Sequence, residues 1–217
     1  DSALAYQPHL MIFSDIGPHI RWIGNEQGII NETNWNLLDT AGFKRGAGGP
    51  PTDSLNRGNY NGKAWIPGEA DVSIRKGWFY HAEEDKTVKS GKQLFDLYLK
   101  NVGRGGNFLL NVPPNRQGLF SPADSTALMD FKKIRDAAFK TNLFKNARIL
   151  RTNNSVEIHL KEAVEINALQ LMEAISMGQR IVKFEISGGN DLKKFETFAK
   201  GTTVGHKRII TFPTQKL

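Results

Sequence analysis

The chain has 217 residues, 39% hydrophobic and 24% charged, a globular composition with room for one large domain or two modest ones and enough apolar residues to bury a core. Its 29 Lys and Arg against 22 Asp and Glu leave a formal charge of +7, but acids are interspersed with the bases nearly everywhere, so the excess is a surface bias and not a nucleic-acid stripe. The absence of cysteine excludes disulfides and thiolate metal sites. No segment reaches the roughly 20 apolar residues of a membrane helix, and Asp1-Ser2-Ala3-Leu4 has neither the basic start nor the apolar stretch of a signal peptide.

In chain order, Leu10-Met11-Ile12-Phe13 is a continuous apolar run after the turn-forming Gln7-Pro8, and predicts a strand buried on both faces of a parallel sheet. It stops at Ser14-Asp15. From there to about Lys63 the chain is rich in Gly, Pro and Asn, with Gly46-Ala47-Gly48-Gly49-Pro50-Pro51 the extreme, and long loops are expected. Loops of that length inside a compact domain usually carry function. Ala70 to Ile74 reads as a second strand, followed by Trp78-Phe79-Tyr80-His81 and a helix from about Ser90 to Val102, with Leu94, Leu97 and Tyr98 on one face and Gly103 as C-cap. Phe108-Leu109-Leu110-Asn111-Val112 reads as a further buried strand. The next helix opens with Ser121 as N-cap, Pro122 at its first position and Asp124 in its third, and places Leu128, Phe131, Ile134 and Ala138 on one face.

Buried strands alternating with helices indicate an α/β barrel or an open α/β sheet. The pattern changes after about residue 146. Val156, Ile158 and Leu160 alternate with Glu157 and His159, and Val182, Phe184 and Ile186 with Lys183 and Glu185, so these strands have one wet face and predict an antiparallel β-sandwich. The expected class is α/β followed by all-β, divided into residues 1–146 and 147–217.

Polar residues just beyond the carboxyl end of a barrel strand face the mouth where active sites lie. Asp15, His19, Arg21 and Glu26 all follow the first strand, with Trp22 and Asn25 among them. Any one alone reads as a surface charge or a loop hydrogen bond; their concentration marks a candidate site. Glycoside hydrolysis requires two carboxyl groups, one to protonate the leaving oxygen and, in retaining enzymes, one to attack the sugar carbon. Glu26 fits the proton donor, a role favoured where apolar neighbours disfavour the carboxylate, and Trp22 and Ile23 are near it in sequence. Trp22, Trp65, Trp78 and Tyr80 lie in or beside predicted loops, where a ring can cover the apolar face of a sugar or pack in the core. Glu69 and Asp71 stand two apart and share one face of a strand, as a second catalytic pair or, the favoured reading, as a loop cap or arginine partner.

Histidines 9, 19, 81, 159 and 206 have no metal-site spacing, and no metal is expected. Gly103-Arg104-Gly105-Gly106 precedes a strand instead of opening a helix and is not read as a phosphate loop. The bases Lys132, Lys133, Arg135, Lys140, Lys145, Arg148 and Arg151 are read as a solvated helix face, not a nucleic-acid surface.

Gln7-Pro8 leading to an apolar strand, then Asp15-Ile16-Gly17-Pro18-His19-Ile20-Arg21-Trp22-Ile23-Gly24-Asn25-Glu26-Gln27-Gly28, resembles the acid/base segment of the family 29 α-L-fucosidases, in particular the subgroup preferring branched α-1,3/1,4-linked fucosides. Trp65-Ile66-Pro67 with Glu69, and Gly77-Trp78-Phe79-Tyr80, resemble the next family blocks. Leu109-Leu110-Asn111-Val112-Pro113-Pro114 with Gly118-Leu119 resembles the block closing the barrel. Gly178-Gln179-Arg180 and Gly201-Thr202-Thr203-Val204-Gly205-His206-Lys207-Arg208 fit the family's sandwich.

The resemblance implies the carboxy-terminal part of a (β/α)8-like barrel followed by an antiparallel β-sandwich. It also implies retaining hydrolysis of terminal α-L-fucose, with Glu26 as general acid/base, Arg21 holding fucose, Trp78 lining the sugar site, and Trp22, Asp15 and His19 as further substrate contacts. No cofactor is implied. The partner is a fucosylated oligosaccharide or glycoconjugate, with no nucleic acid and no membrane, in a secreted or periplasmic setting. The family's nucleophilic aspartate, in a motif resembling Trp-Phe-Asp-Gly on an earlier strand, has no counterpart here, and the family sandwich would continue past Leu217. The piece alone is therefore expected to be inactive and aggregation-prone, since an unclosed barrel exposes strand edges. The alternative reading is a carbohydrate-binding fragment without catalysis.

Overall fold

The computed structural model describes residues 2–191 and 194–217. A short helix α1 (Ser2–Tyr6) precedes strands β1 (Phe13–Ser14) and β2 (Ile20–Trp22), followed by β3 (Leu37–Leu38), α2 (Thr52–Arg57), β4 (Ala64–Trp65) and β5 (Gly68–Ser73). A 3-10 segment (Ala82–Thr87) leads to α3 (Gly91–Asn101), β6 (Asn107–Asn111) and α4 (Pro122–Phe139). From there on come β7 (Arg148–Arg151), β8 (Val156–His159), β9 (Glu165–Leu171), β10 (Lys183–Asp191), β11 (Lys194–Thr202) and β12 (Arg208–Lys216).

β1, β2, β5 and β6 form one parallel sheet in that order. Trp22 pairs with Glu69, Glu69 with Asn107, Asp71 with Leu109, and Ser73 with Asn111. Because side chains alternate along a strand, these residues share one face of the sheet. The residues between them face the helices: Ile74, Leu94 and Ala127 form a buried cluster with Leu110, Val112 and Phe131 packed against it. A second cluster joins Ile23, Ile30 and Ala70, and a third joins Ile16, Leu38, Leu55 and Ile66.

Both long helices start as their sequence dictates. Ser90 and Gln93 form a capping box on α3, and Ser121 Oγ accepts from Asp124 N at the start of α4. The end of α3 differs from expectation. The chain continues into a 3-10 turn (Val102–Arg104), and the left-handed residue is Gly105, at φ 79°, not Gly103. Gly103 serves close packing instead: a Cβ there would lie 3.2 Å from Ile209 Cβ on β12. On α4, Leu128, Phe131 and Ile134 are half-buried as a face, whereas Ala138 is exposed near the helix end.

Three further expectations are corrected. The Leu10–Phe13 run is not a doubly buried strand; only Phe13 and Ser14 pair, and Met11 and Phe13 are 62% and 39% exposed because β1 sits at the sheet edge. The stretch 15–63 is not loop throughout, since it contains β2, β3 and α2. Leu109 is 47% exposed, so β6 has one open face.

All strand pairs after residue 147 are antiparallel: β7 with β8, β9 with β12, and β10 with β11. Phe184 and Ile186 on β10 are half-buried between exposed Lys183 and Glu185, as their alternation predicts. On β8 the apolar side is instead open, with Val156 61% exposed. This β region holds the 32–36 loop by polar contacts. Gln179 bridges Asn34 O and Asn36 N, Thr203 Oγ1 accepts from Asn34 N, and Arg208 donates to Glu32.

Candidate active site

Glu26 lies in a loop after β2 bracketed by Gly24 (φ 80°) and Gly28 (φ 72°), backbone conformations that favour glycine. Gly28 also runs close over β5, where an added Cβ would meet Val72 Cγ1 at 2.8 Å. The loop therefore rests on the sheet and presents Glu26 outward. Trp78, in the loop after β5, turns its ring toward it, and Trp78 Nε1 donates to Glu26 Oε2 at 3.1 Å. Trp78 is 37% exposed, so the carboxylate and the ring both remain accessible.

Behind this pair, the polar face of the sheet is tied across its strands. Trp22 Nε1 donates to Asp71 Oδ1 at 2.7 Å, and Asn107 Nδ2 donates to buried Glu69. Glu69 and Asp71 thus each have a neutral cross-strand donor, and neither holds an arginine. Ile23 is fully buried in the core, and the aromatic ring bonded to Glu26 is that of Trp78.

Arg21 occupies the opposite side of β2, where its guanidinium is wholly buried. Nε donates to Leu55 O at 2.8 Å, Nη1 to Ile66 O, and Nη2 to Asn34 Oδ1 and Trp35 O at 3.2 and 3.0 Å. Four of the five N–H donors of a guanidinium are thereby spent on the protein itself. Burial lowers its pKa to about 10. Arg21 thereby fastens α2, the 34–35 loop and the β4–β5 connection.

Asp15 and His19 tie the β1–β2 connection. Asp15 accepts from Ser14 Oγ, Ile16 N and Gly46 N; burial pushes its carboxyl up, but these hydrogen bonds outweigh that and hold it below its ordinary value. His19 Nδ1 accepts from Ile12 N at 3.0 Å. Neither is joined to Glu26. A hollow of about 600 Å³ flanks the Glu26 loop on the side of Asn25 and Gln27, and Asp53, Asn56 and Arg104 line it as well. Among the described residues, no group of three or more His, Asp or Glu is placed to hold a metal ion, and no helix is long and apolar enough to cross a membrane.

Comparison with known proteins agrees on one class. Residues 35–133 match the family model for α-L-fucosidase; this stretch includes Trp65, Glu69, Asp71 and Trp78 and begins after Glu26. α-L-Fucosidase 1 of Arabidopsis thaliana is 36% identical over 95% of this chain and 46% of its own length. A crystal structure of a glycoside hydrolase 29 family member from an unknown rumen bacterium superposes with a TM-score of 0.88 at 35% identity, covering 98% of this chain and 39% of the other. A Ruminococcus gnavus GH29 fucosidase in complex with fucose superposes with a TM-score of 0.79 at 25% identity, covering 95% of this chain and 47% of the other. The class these matches define is that of the α-L-fucosidases. The chain is similar to members of glycoside hydrolase family 29 and spans half or less of the length of each of these three relatives.

Proposed function

We propose that this chain is the carboxy-terminal part of a retaining α-L-fucosidase, with residues 1–146 completing a (β/α)8 barrel, residues 147–217 contributing to a β-sandwich, and Glu26 as general acid/base. The observation that carries the proposal is the Trp78–Glu26 hydrogen bond, which places a carboxyl group against an exposed aromatic ring beyond the carboxyl ends of the two central strands of a parallel sheet. The indole N–H engages Oε2 and leaves Oε1 to carry the transferable proton.

In the two-step displacement, an aspartate outside this chain attacks the anomeric carbon of fucose while Glu26 protonates the departing glycosidic oxygen. Glu26 then deprotonates the water that releases fucose with retained configuration. Trp78 offers its ring face to the apolar side of the sugar, with Trp22 in the layer beneath. Arg21, Asp15 and His19 act indirectly, by fixing β2 and the β1–β2 connection that precede the Glu26 loop. The substrate is a terminal fucose on a glycan, of the α-1,3/1,4-linked type that the first sequence block suggests, in a secreted or periplasmic enzyme requiring no metal.

Replacing Glu26 with Ala in the full-length protein is the test. Hydrolysis of fucosides with poor leaving groups is expected to fall by about 100-fold or more, with much smaller loss on activated aryl fucosides, because general acid catalysis contributes on the order of 100 to 10,000-fold where the leaving group needs a proton. Small, equal losses on both substrates would remove Glu26 from this role.

A further inference from the structure

We infer that Asn111, together with Ser73, is a positioning residue for Glu26 and acts through Trp78; the inference rests on the acid/base reading above. Ser73 and Asn111 are the last residues of neighbouring strands β5 and β6 and are register partners on the sheet's polar face. Ser73 Oγ donates to Gly77 O at 2.6 Å. Asn111 Nδ2 donates both to Ser73 Oγ, at 3.1 Å, and to Trp78 O, at 3.0 Å. The two amide protons of one side chain thus bind the strand end and the backbone of the residue that reaches Glu26.

The far end of the same loop is anchored separately. Arg75 Nη1 donates to His81 O at 3.0 Å, and its guanidinium stacks 4.7 Å over the Tyr80 ring. Trp78 is therefore held by its main chain while its side chain remains free to meet a ligand. An indole has a single N–H of fixed direction, so the place of the Trp78 backbone decides where that donor points. Glu26 stands in an exposed loop, and Trp78 supplies the side-chain hydrogen bond it makes among the described residues. Moving the Trp78 backbone by about 1 Å is enough to break that bond and leave the carboxyl group free to rotate.

The test uses the indole N–H resonances of the full-length protein, among which that of Trp78 is assigned through Trp78→Phe. Glu26→Gln is expected to shift the Trp78 resonance. Asn111→Ala should shift it as well and abolish its further response to Glu26→Gln, and Ser73→Ala should shift it less. If the indole resonances collapse together in Asn111→Ala, Asn111→Asp, which has the same shape without the donor, is read in its place. A Trp78 resonance that stays put in the Asn111 variant and still responds to Glu26→Gln overturns the inference.

In the full-length protein, Asn111→Ala is expected to lower kcat for poor leaving groups by about 10-fold and for activated aryl fucosides by less than about 2-fold, with KM nearly unchanged. A displaced Trp78 resonance with equal kinetic losses on both substrate types would uphold the positioning and sink the acid/base reading instead.

Discussion

Trp78 Nε1 and Glu26 Oε2 lie 3.1 Å apart, although 52 residues separate them in the chain. The bond spans two loops that leave different strands of one parallel sheet, so it reports the correct docking of both. Trp78→Phe keeps the ring and removes the donor. It is expected to reduce turnover of poor-leaving-group fucosides by about 10-fold while leaving KM within about 2-fold, since ring contact survives and only the orientation of the acid is lost. Steady-state kinetics on two leaving groups checks this, and a raised KM with unchanged kcat would make Trp78 a sugar contact alone.

Arg21 is predicted to matter for folding and not for sugar recognition. Arg21→Met would strand the carbonyls of Leu55, Ile66 and Trp35 together with Asn34 Oδ1, all buried or half-buried. Four unsatisfied acceptors at about 1 to 3 kcal/mol each give an expected loss of about 4 kcal/mol or more. Urea unfolding measures it. Near-wild-type stability combined with weakened fucose binding would return Arg21 to the sugar pocket.

Arg75 and Asp124 form a buried ion pair, 3.1 Å apart with both side chains fully enclosed, and Arg75 also meets Asp85 at 2.6 Å. Burial alone would lower the guanidinium's pKa, but the two carboxylates outweigh this and raise it. Arg75→Leu leaves the Asp124 charge uncompensated in the interior, at an expected cost of about 3–5 kcal/mol. The double variant Arg75→Leu with Asp124→Leu should recover a good part of that in the same denaturation experiment.

His206 sits where the β region meets the 32–36 loop, with Nδ1 3.4 Å from Asn36 Nδ2. Burial, and then the charge of Lys207, lower its pKa from the ordinary 6.5. The unfolded chain therefore binds the proton more readily than the folded one. The sign follows: stability from neutral His206 is fully present above pH 6.5 and is lost as pH falls from 6.5 toward the lowered folded value. A thermal-melt series in acid is expected to show this slope, and His206→Gln should flatten it.

The local elements were legible because their signals are local. Ser90 with Gln93 and Ser121 with Pro122 specify helix starts, and the alternation around Phe184 and Ile186 specifies a strand with one open face, through contacts made within a few residues. The sequence also singled out Glu26 and Trp78 separately, through residue type and family likeness. It could not pair them, since nothing in a linear order says that a loop after β2 and a loop after β5 meet.

The tertiary structure decided the roles of the charged and polar groups. The family likeness implied that Arg21 holds sugar; strand alternation turns it to the other face of β2, where backbone carbonyls take its donors. Asn111 lay inside an apolar block read as buried strand, and only register with Ser73 reveals it as the tie to Trp78. Periodicity is set by the geometry of one strand or helix; which polar atoms meet is set by strand register and loop docking, which bring distant residues within hydrogen-bond reach.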